Sequence, residues 1–294
     1  MSRYIDPLPP TKPFLYPLMP SETVTGVDRR FEFGENWLSF LDRFNADRMS
    51  EAEKALKWLL DCERLDGKRL LDIGSGSGLG SLVARRLGAD VASFDYDPQS
   101  IKCTAALRER FFRNDPRWQI ERGSILDPGF LSKLGQFDIV YSWGVLHHTG
   151  AMRDAIGNAA QLVKPGGMLA LGLYRKTLLC WFWTLEKRWY CRATEPAQAR
   201  ARSLYITLLR TAFAVVRRDF ATYVSNYASN RGMDFAHDVH DWLGGYPYES
   251  ISPDEVAGLL SRFGFQQIRT KLHHGTIGLF GSGCNEYVYR RDGE

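Results

Sequence analysis

One run constrains this chain more than any other: Leu70-Leu71-Asp72-Ile73-Gly74-Ser75-Gly76-Ser77-Gly78. A short apolar stretch of buried-strand length stops at alternating glycines, and GLGSLVARRLG follows with helical spacing. A strand that turns through glycines into a helix is the opening unit of a doubly wound α/β sheet, with a nucleotide-type ligand over the turn. Glycine is needed there because the backbone must approach the ligand without a Cβ in the way. The glycines alone do not choose the ligand, since a dinucleotide enzyme would carry them too. Asp72 narrows the choice. A carboxylate two residues before Gly74 suits an ammonium or sulfonium group and would repel a pyrophosphate. Asp95, at the end of DVASFD, is placed to bond ribose hydroxyls, which both ligand types contain.

The rest of the chain extends this unit. From residue 68 onward RLLDIG, DVASFD, WQIERG, FDIVYSW and MLALGLY read as five strands separated by helices. The helix before the fifth strand is expected to stop at Pro165-Gly166-Gly167. Ser50-Glu51-Ala52-Glu53 reads as a capping box that opens a helix running to about Glu63, and Ser252-Pro253-Asp254-Glu255 as another. QQIRTKLH and NEYVYRR add two strands. The fold expected is α/β: a Rossmann-like, seven-stranded, mostly parallel sheet with helices on both faces and a helical insertion after the fifth strand. Residues 1–48 form an N-terminal arm and aromatic cover segment. Residues 49–174 and 251–294 form the sheet domain, and residues 175–250 a helical and loop insertion that serves as a lid.

LLDIGSGSG, FDYD, GSILD, FDIVYSWGVLHH and LVKPGGMLAL, in that order, resemble the motif set of class I S-adenosylmethionine-dependent methyltransferases. The likeness covers about 68–174, and less specifically 252–291, and points to the ubiquinone-biosynthesis branch. It implies that Gly74, Ser75, Gly76 and Gly78 lie under the methionine part of S-adenosyl-L-methionine. It implies a ribose contact for Asp95 and adenine contacts for Tyr96, Ser124 and Ile125. It puts Ser142 and Trp143 beside the sulfonium, with His147 and His148 opening the next helix toward the cofactor. Many relatives carry aspartate where Ser124 stands. In the cover segment, Asn36 and Trp37 are the residues expected over the methionine end.

The cofactor brings its own electrophile, so the protein has to position an acceptor and take its proton. Histidine suits that task near neutral pH. His147, His148, His240 and Asp241 are the catalytic candidates, and His237, Asp238, Tyr246 and Tyr248 the acceptor contacts. Each has a plainer alternative as a cap or packing residue. HDVHD contains metal-ligand residue types, but no further ligand is fixed and no metal is assigned.

Between 175 and 218, ten Lys and Arg face only Glu186 and Glu195, with Trp181, Phe182, Trp183, Trp189 and Tyr190 among them. Three readings follow: a lid for an acidic, lipid-like or aromatic acceptor, a face for an anionic membrane, or a helix pair with solvated arginines. The expected reaction is methyl transfer to a small-molecule acceptor, at a hydroxyl oxygen. Carbon or nitrogen methylation, RNA or protein methylation and a non-catalytic cofactor-binding module stand as alternatives. A net charge of +4 and the absence of an Asn-Pro-Pro-Tyr-type motif after FDIVYSW leave nucleic acid unexpected. Five scattered cysteines without a C-x-x-C pair, and an N-terminus without an apolar core, lead to a cytoplasmic expectation. LLCWFW and YITLLRTAFAVV are too short to span a bilayer.

Overall fold

A computed structural model describes residues 46–227, 235–274 and 281–293. Its seven-stranded sheet is built from β1 (Arg69–Ile73), β2 (Asp90–Asp95), β3 (Trp118–Arg122), β4 (Phe137–Trp143), β5 (Val163–Tyr174), β6 (Phe265–Lys271) and β7 (Cys284–Arg291). The strand order is β3-β2-β1-β4-β5-β7-β6. β1 to β5 pair in parallel, and β7 runs antiparallel to both β5 and β6. The chain leaves β1 on one side for β2 and β3, and returns past it for β4. A crevice therefore opens between β1 and β4 at their carboxyl ends, where open α/β sheets bind ligands.

Strand alternation divides the core. Leu71, Ile73, Val140, Leu169 and Leu171 point to one face, under α5 (Met152–Gln161) and α10 (Pro253–Ser261). Leu70, Ile139 and Ala170 point to the other, under α1 (Ala46–Leu60), α2 (Leu79–Arg86) and α3 (Pro98–Phe111). Each fully buried Leu or Ile contributes about 1.5–3 kcal/mol. A short α4 (Pro128–Leu131) sits between β3 and β4, and the Asp127 carboxylate caps it by accepting the Gly129 and Phe130 amides.

The insertion contains α6 (Cys180–Arg192), α7 (Glu195–Val215), α8 (Phe220–Ser225) and α9 (Phe235–Gly244). They share an apolar cluster of their own, with Trp183, Tyr190, Tyr205, Leu209, Val239 and Leu243 buried in it.

Two boundaries differ from those expected. α1 already runs from Ala46 and stops at Leu60, so Ser50 lies inside it and caps nothing. Glu53 pairs with Lys57 at 3.2 Å and Arg86 at 3.5 Å, which makes it a helix-surface residue. α5 ends at Gln161, before Pro165, because Val163 already pairs with Phe137 of β4. Lys164–Gly167 then form an irregular stretch at the start of β5, where the register against β4 shifts. The capping box at Ser252 forms as read: the Ser252 hydroxyl accepts the Glu255 amide, and Glu255 accepts the Ser252 amide at 3.0 Å.

Candidate functional site

A cavity of 1660 Å³ occupies the crevice. One end is the glycine loop. Gly74 and Ser75 donate their amides to the Phe94 carbonyl at 2.8 and 3.2 Å, and Gly78 donates to Ser75 at 2.7 Å. The Gly76 amide goes to Asp95 Oδ2 at 2.9 Å. A loop that cradles pyrophosphate must aim such amides at the ligand. Here they are spent inside the protein, and two carboxylates flank the loop. The donor set therefore fits a cationic, ribose-bearing ligand and not a dinucleotide. Gly74 has φ +72, and a Cβ there would lie 2.4 Å from Val145 Cγ1, so its lack of a side chain serves the contact with the loop after β4.

Asp72 is buried in the cavity wall. Its Oδ2 accepts the Ser81 hydroxyl at 2.5 Å. Ser81 has one proton to give, so Ser93 donates to Ser81 at 2.6 Å, and the Trp118 indole donates to Ser93 at 2.9 Å. Burial, opposed by the Ser81 bond and helped by Asp95 nearby, raises the Asp72 carboxyl to about 6. The Asp95 Oδ1 accepts the Asp97 amide at 2.9 Å, and burial raises this carboxyl as well. Each Asp95 oxygen has two lone pairs, so both retain acceptor capacity for ribose hydroxyls.

Tyr96 is exposed at the cavity rim, with the Arg122 guanidinium 6.0 Å from its ring centroid. Ser124 and Ile125 both line the cavity. The Ser124 hydroxyl accepts the Leu126 amide at 3.1 Å, and the Ile125 side chain belongs to the core. Trp143 lines the cavity with its ring laid across Gly172, where a Cβ would come within 2.6 Å. Ser142 and Gly78 are not among the lining residues. The Ser142 hydroxyl ties β4 to β1 through the Ile73 carbonyl at 3.1 Å, and Gly78 packs on Thr104 as the left-handed residue before α2. Asn36 and Trp37 lie outside the described residues.

The other end of the cavity is walled by the insertion. Asp238, Asp241 and Trp242 of α9 line it with Tyr246 beyond, and Asp238 accepts the Tyr227 hydroxyl. Helical geometry sorts the candidates. His240 is not among the lining residues. Its Nδ1 accepts from Arg202 at 3.1 Å and meets the Tyr190 hydroxyl at 2.7 Å, so it joins α9 to α6 and α7. His237 lies on α9, and its side chain is outside the described residues. Tyr248 is buried and is not among the lining residues; its hydroxyl lies 2.6 Å from Oγ of Ser282, which is one of them.

The histidine pair separates too. His147 is fully buried, does not line the cavity and accepts the Tyr174 amide on Nδ1 at 3.2 Å. His148 lines the cavity. Its Nδ1 is 2.7 Å from the Pro247 carbonyl, which can only accept, so Nδ1 carries a proton. Burial, with Lys187 nearby, pulls His148 down to about 4.

Several wall residues escaped the sequence reading. Tyr205 and Leu209 are one helical turn apart on α7, as are Tyr223 and Tyr227 around α8, and that i, i+4 spacing was the available sign. Thr104 bonds the Ser75 hydroxyl at 2.9 Å and the Gly76 carbonyl at 3.3 Å, and nothing local marks it. None of the ten basic residues between 175 and 218 is among the residues that line the cavity.

A family model described as a methyltransferase domain matches residues 37–269. The chain belongs to this methyltransferase family. Its cofactor is S-adenosylmethionine, as the ordered motifs imply. The methyltransferase is 28% identical over 169 residues to a mitochondrial ubiquinone biosynthesis O-methyltransferase of Schizosaccharomyces pombe, a match covering 54% of this chain and 58% of the relative. It is 38% identical over 117 residues to a ribosomal protein L11 methyltransferase of Tolumonas auensis, covering 40% and 37%. The chain thus spans less than two thirds of these curated relatives. A solved magnesium protoporphyrin IX methyltransferase from Synechocystis PCC 6803, with bound SAH, superposes with a TM-score of 0.53 at 15% identity over 88% of this chain and 94% of that one. That likeness shows the fold.

Proposed function

We propose that this methyltransferase transfers the methyl group of S-adenosylmethionine to a hydroxyl oxygen of a small-molecule acceptor held against the 175–250 insertion. The observation that carries the reading is the continuity of one 1660 Å³ cavity, from the glycine loop and Asp95 to the aromatic wall at Tyr205 and Trp242. A single ligand usually occupies about 300–1,000 Å³. The excess is room for an acceptor beside the cofactor. The cofactor, when bound, supplies the methyl electrophile. Asp95 orients its ribose, the glycine loop lies under its methionine part, and Asp72 offers a negative charge near its cationic end. The aromatic wall excludes water and favours an apolar or aromatic acceptor body.

A hydroxyl acceptor must lose a proton as it is methylated. We assign that proton to His148, which lines the cavity and has its ring held by backbone hydrogen bonds to Pro247 and Gly245. Asp241, on the cavity side of α9, is assigned to acceptor contact.

The test is incubation with methyl-labelled S-adenosylmethionine and a panel of phenols, sugars and prenylated acceptors, followed by NMR of the product. An O-methyl product supports the reading. An N- or C-methyl product replaces the oxygen acceptor, and failure to bind S-adenosylmethionine in calorimetry removes the reading altogether.

A further inference from the structure

α6 is apolar on two opposite sides. At about 100° per residue, Cys180, Trp183, Lys187, Tyr190 and Cys191 occupy one sector, and all are buried. Trp181, Phe182, Leu185 and Trp189 occupy a sector of about 100° on the far side, and all are exposed. Leu178, just before the helix, adds to that outer stripe at 93% exposure, and Trp181 is 65% exposed. Nothing among the described residues covers these side chains. Single exposed apolar residues are ordinary, but a continuous stripe with two tryptophans marks a contact surface.

The charge around it names the partner. Arg188 and Arg192 are exposed on α6, Arg200 and Arg210 on α7, and Arg217 and Arg218 just beyond its end. The acids of this stretch are half-buried Glu186 and Glu195, which is held by Arg202 at 2.6 Å. α7 repeats the pattern, with Leu204, Leu208 and Val215 exposed between its arginines. Tryptophan with leucine beside a surplus of arginine is the composition of a helix lying in the headgroup layer of an anionic membrane. No helix among the described residues is long and apolar enough to cross a membrane, so the contact is a surface one.

We propose that the outer face of α6, with Arg210 of α7 and Arg217 and Arg218 just beyond it, docks on an anionic lipid bilayer. The proposal does not depend on which atom the methyltransferase methylates.

Co-sedimentation of the full chain with vesicles tests it. Phosphatidylcholine vesicles containing phosphatidylglycerol should pellet the protein at least about ten-fold more strongly than phosphatidylcholine alone. The variants W181E/L185E/W189E and R210E/R217E/R218E should stay in the supernatant while binding S-adenosylmethionine as the wild type does, which reports an intact fold. Wild-type protein that ignores anionic vesicles overturns the proposal, and so do folded variants that still pellet. Sedimentation velocity without lipid distinguishes the remaining occupant. A monomer supports the bilayer, whereas a dimer abolished by W181E/L185E/W189E, with no vesicle binding, makes the face a self-interface and overturns it.

Discussion

The indole N–H of Trp118 and the carboxylate of Asp72 are the two ends of one hydrogen-bond chain. It runs from Trp118 to Ser93, then to Ser81, then to Asp72, with steps of 2.9, 2.6 and 2.5 Å. Every proton in it points toward the carboxylate. The chain thereby links β3, β2 and α2 to the cavity wall and stabilises the ionised form of Asp72 against its burial.

Asp72 should make cofactor affinity pH-dependent. Its carboxyl is raised to about 6, so below that pH it takes up a proton and loses its attraction for a cationic ligand. Titration calorimetry should find S-adenosylmethionine binding weaker at pH 5 than at pH 7.5. In S81A the midpoint should move upward, because a bond to the charged form is lost. In D72N the part of the pH dependence centred near 6 should disappear. For stability the sign is reversed: this group favours the folded state at pH below its unfolded value, and that contribution is lost as pH rises through about 6.

Replacing Asp95 should damage two things at once, since its Oδ2 holds the Gly76 amide. A hydrogen bond to a charged group is worth about 1.5–3 kcal/mol, so D95A should weaken S-adenosylmethionine binding by roughly 10- to 100-fold. Circular dichroism should still report a folded chain. Unchanged affinity would remove the ribose assignment.

His148 and His240 should separate in kinetics. H148A should lower kcat by about 100-fold or more with cofactor affinity kept. Because the His148 pKa lies near 4, the wild-type rate should show no loss from this group until the pH falls toward that value. H240A should leave kcat within a few-fold and lower Tm, since it removes the bonds that tie α9 to Tyr190 of α6 and Arg202 of α7.

Gly74 and Val145 should be coupled. G74A puts a methyl group 2.4 Å from Val145 Cγ1 at a positive φ, which should cost about 1–3 kcal/mol of stability in denaturant unfolding. V145A in the G74A background should restore part of that loss. Strictly additive effects would mean that the two residues do not meet.

The sheet was legible because its residues obey local periods. Leu70 and Leu71 alternate between two cores, and glycines punctuate the turns. The insertion was harder to read because α6 is apolar on both sides, so periodicity locates a helix without saying which side faces inward. The same limit decided HDVHD: His240 and Asp241 are neighbours in sequence, yet only Asp241 lines the cavity, and that follows from where Tyr190 and Arg202 approach. Ser81, Ser93 and Thr104 were invisible as site residues because their roles exist only once distant strands and helices are brought together.

The placement of β7 between β5 and β6 also bears on how the chain is made. β5 emerges from the ribosome early, but the strand that covers its outer side is encoded only after the whole insertion. Throughout that interval the nascent sheet carries an open row of amides and carbonyls beside Leu169, Leu171 and Leu173, the arrangement most prone to join another chain. Synthesis of this protein therefore contains a built-in waiting period, and slow translation or heat during it should send the product toward aggregates rather than toward a partly active enzyme.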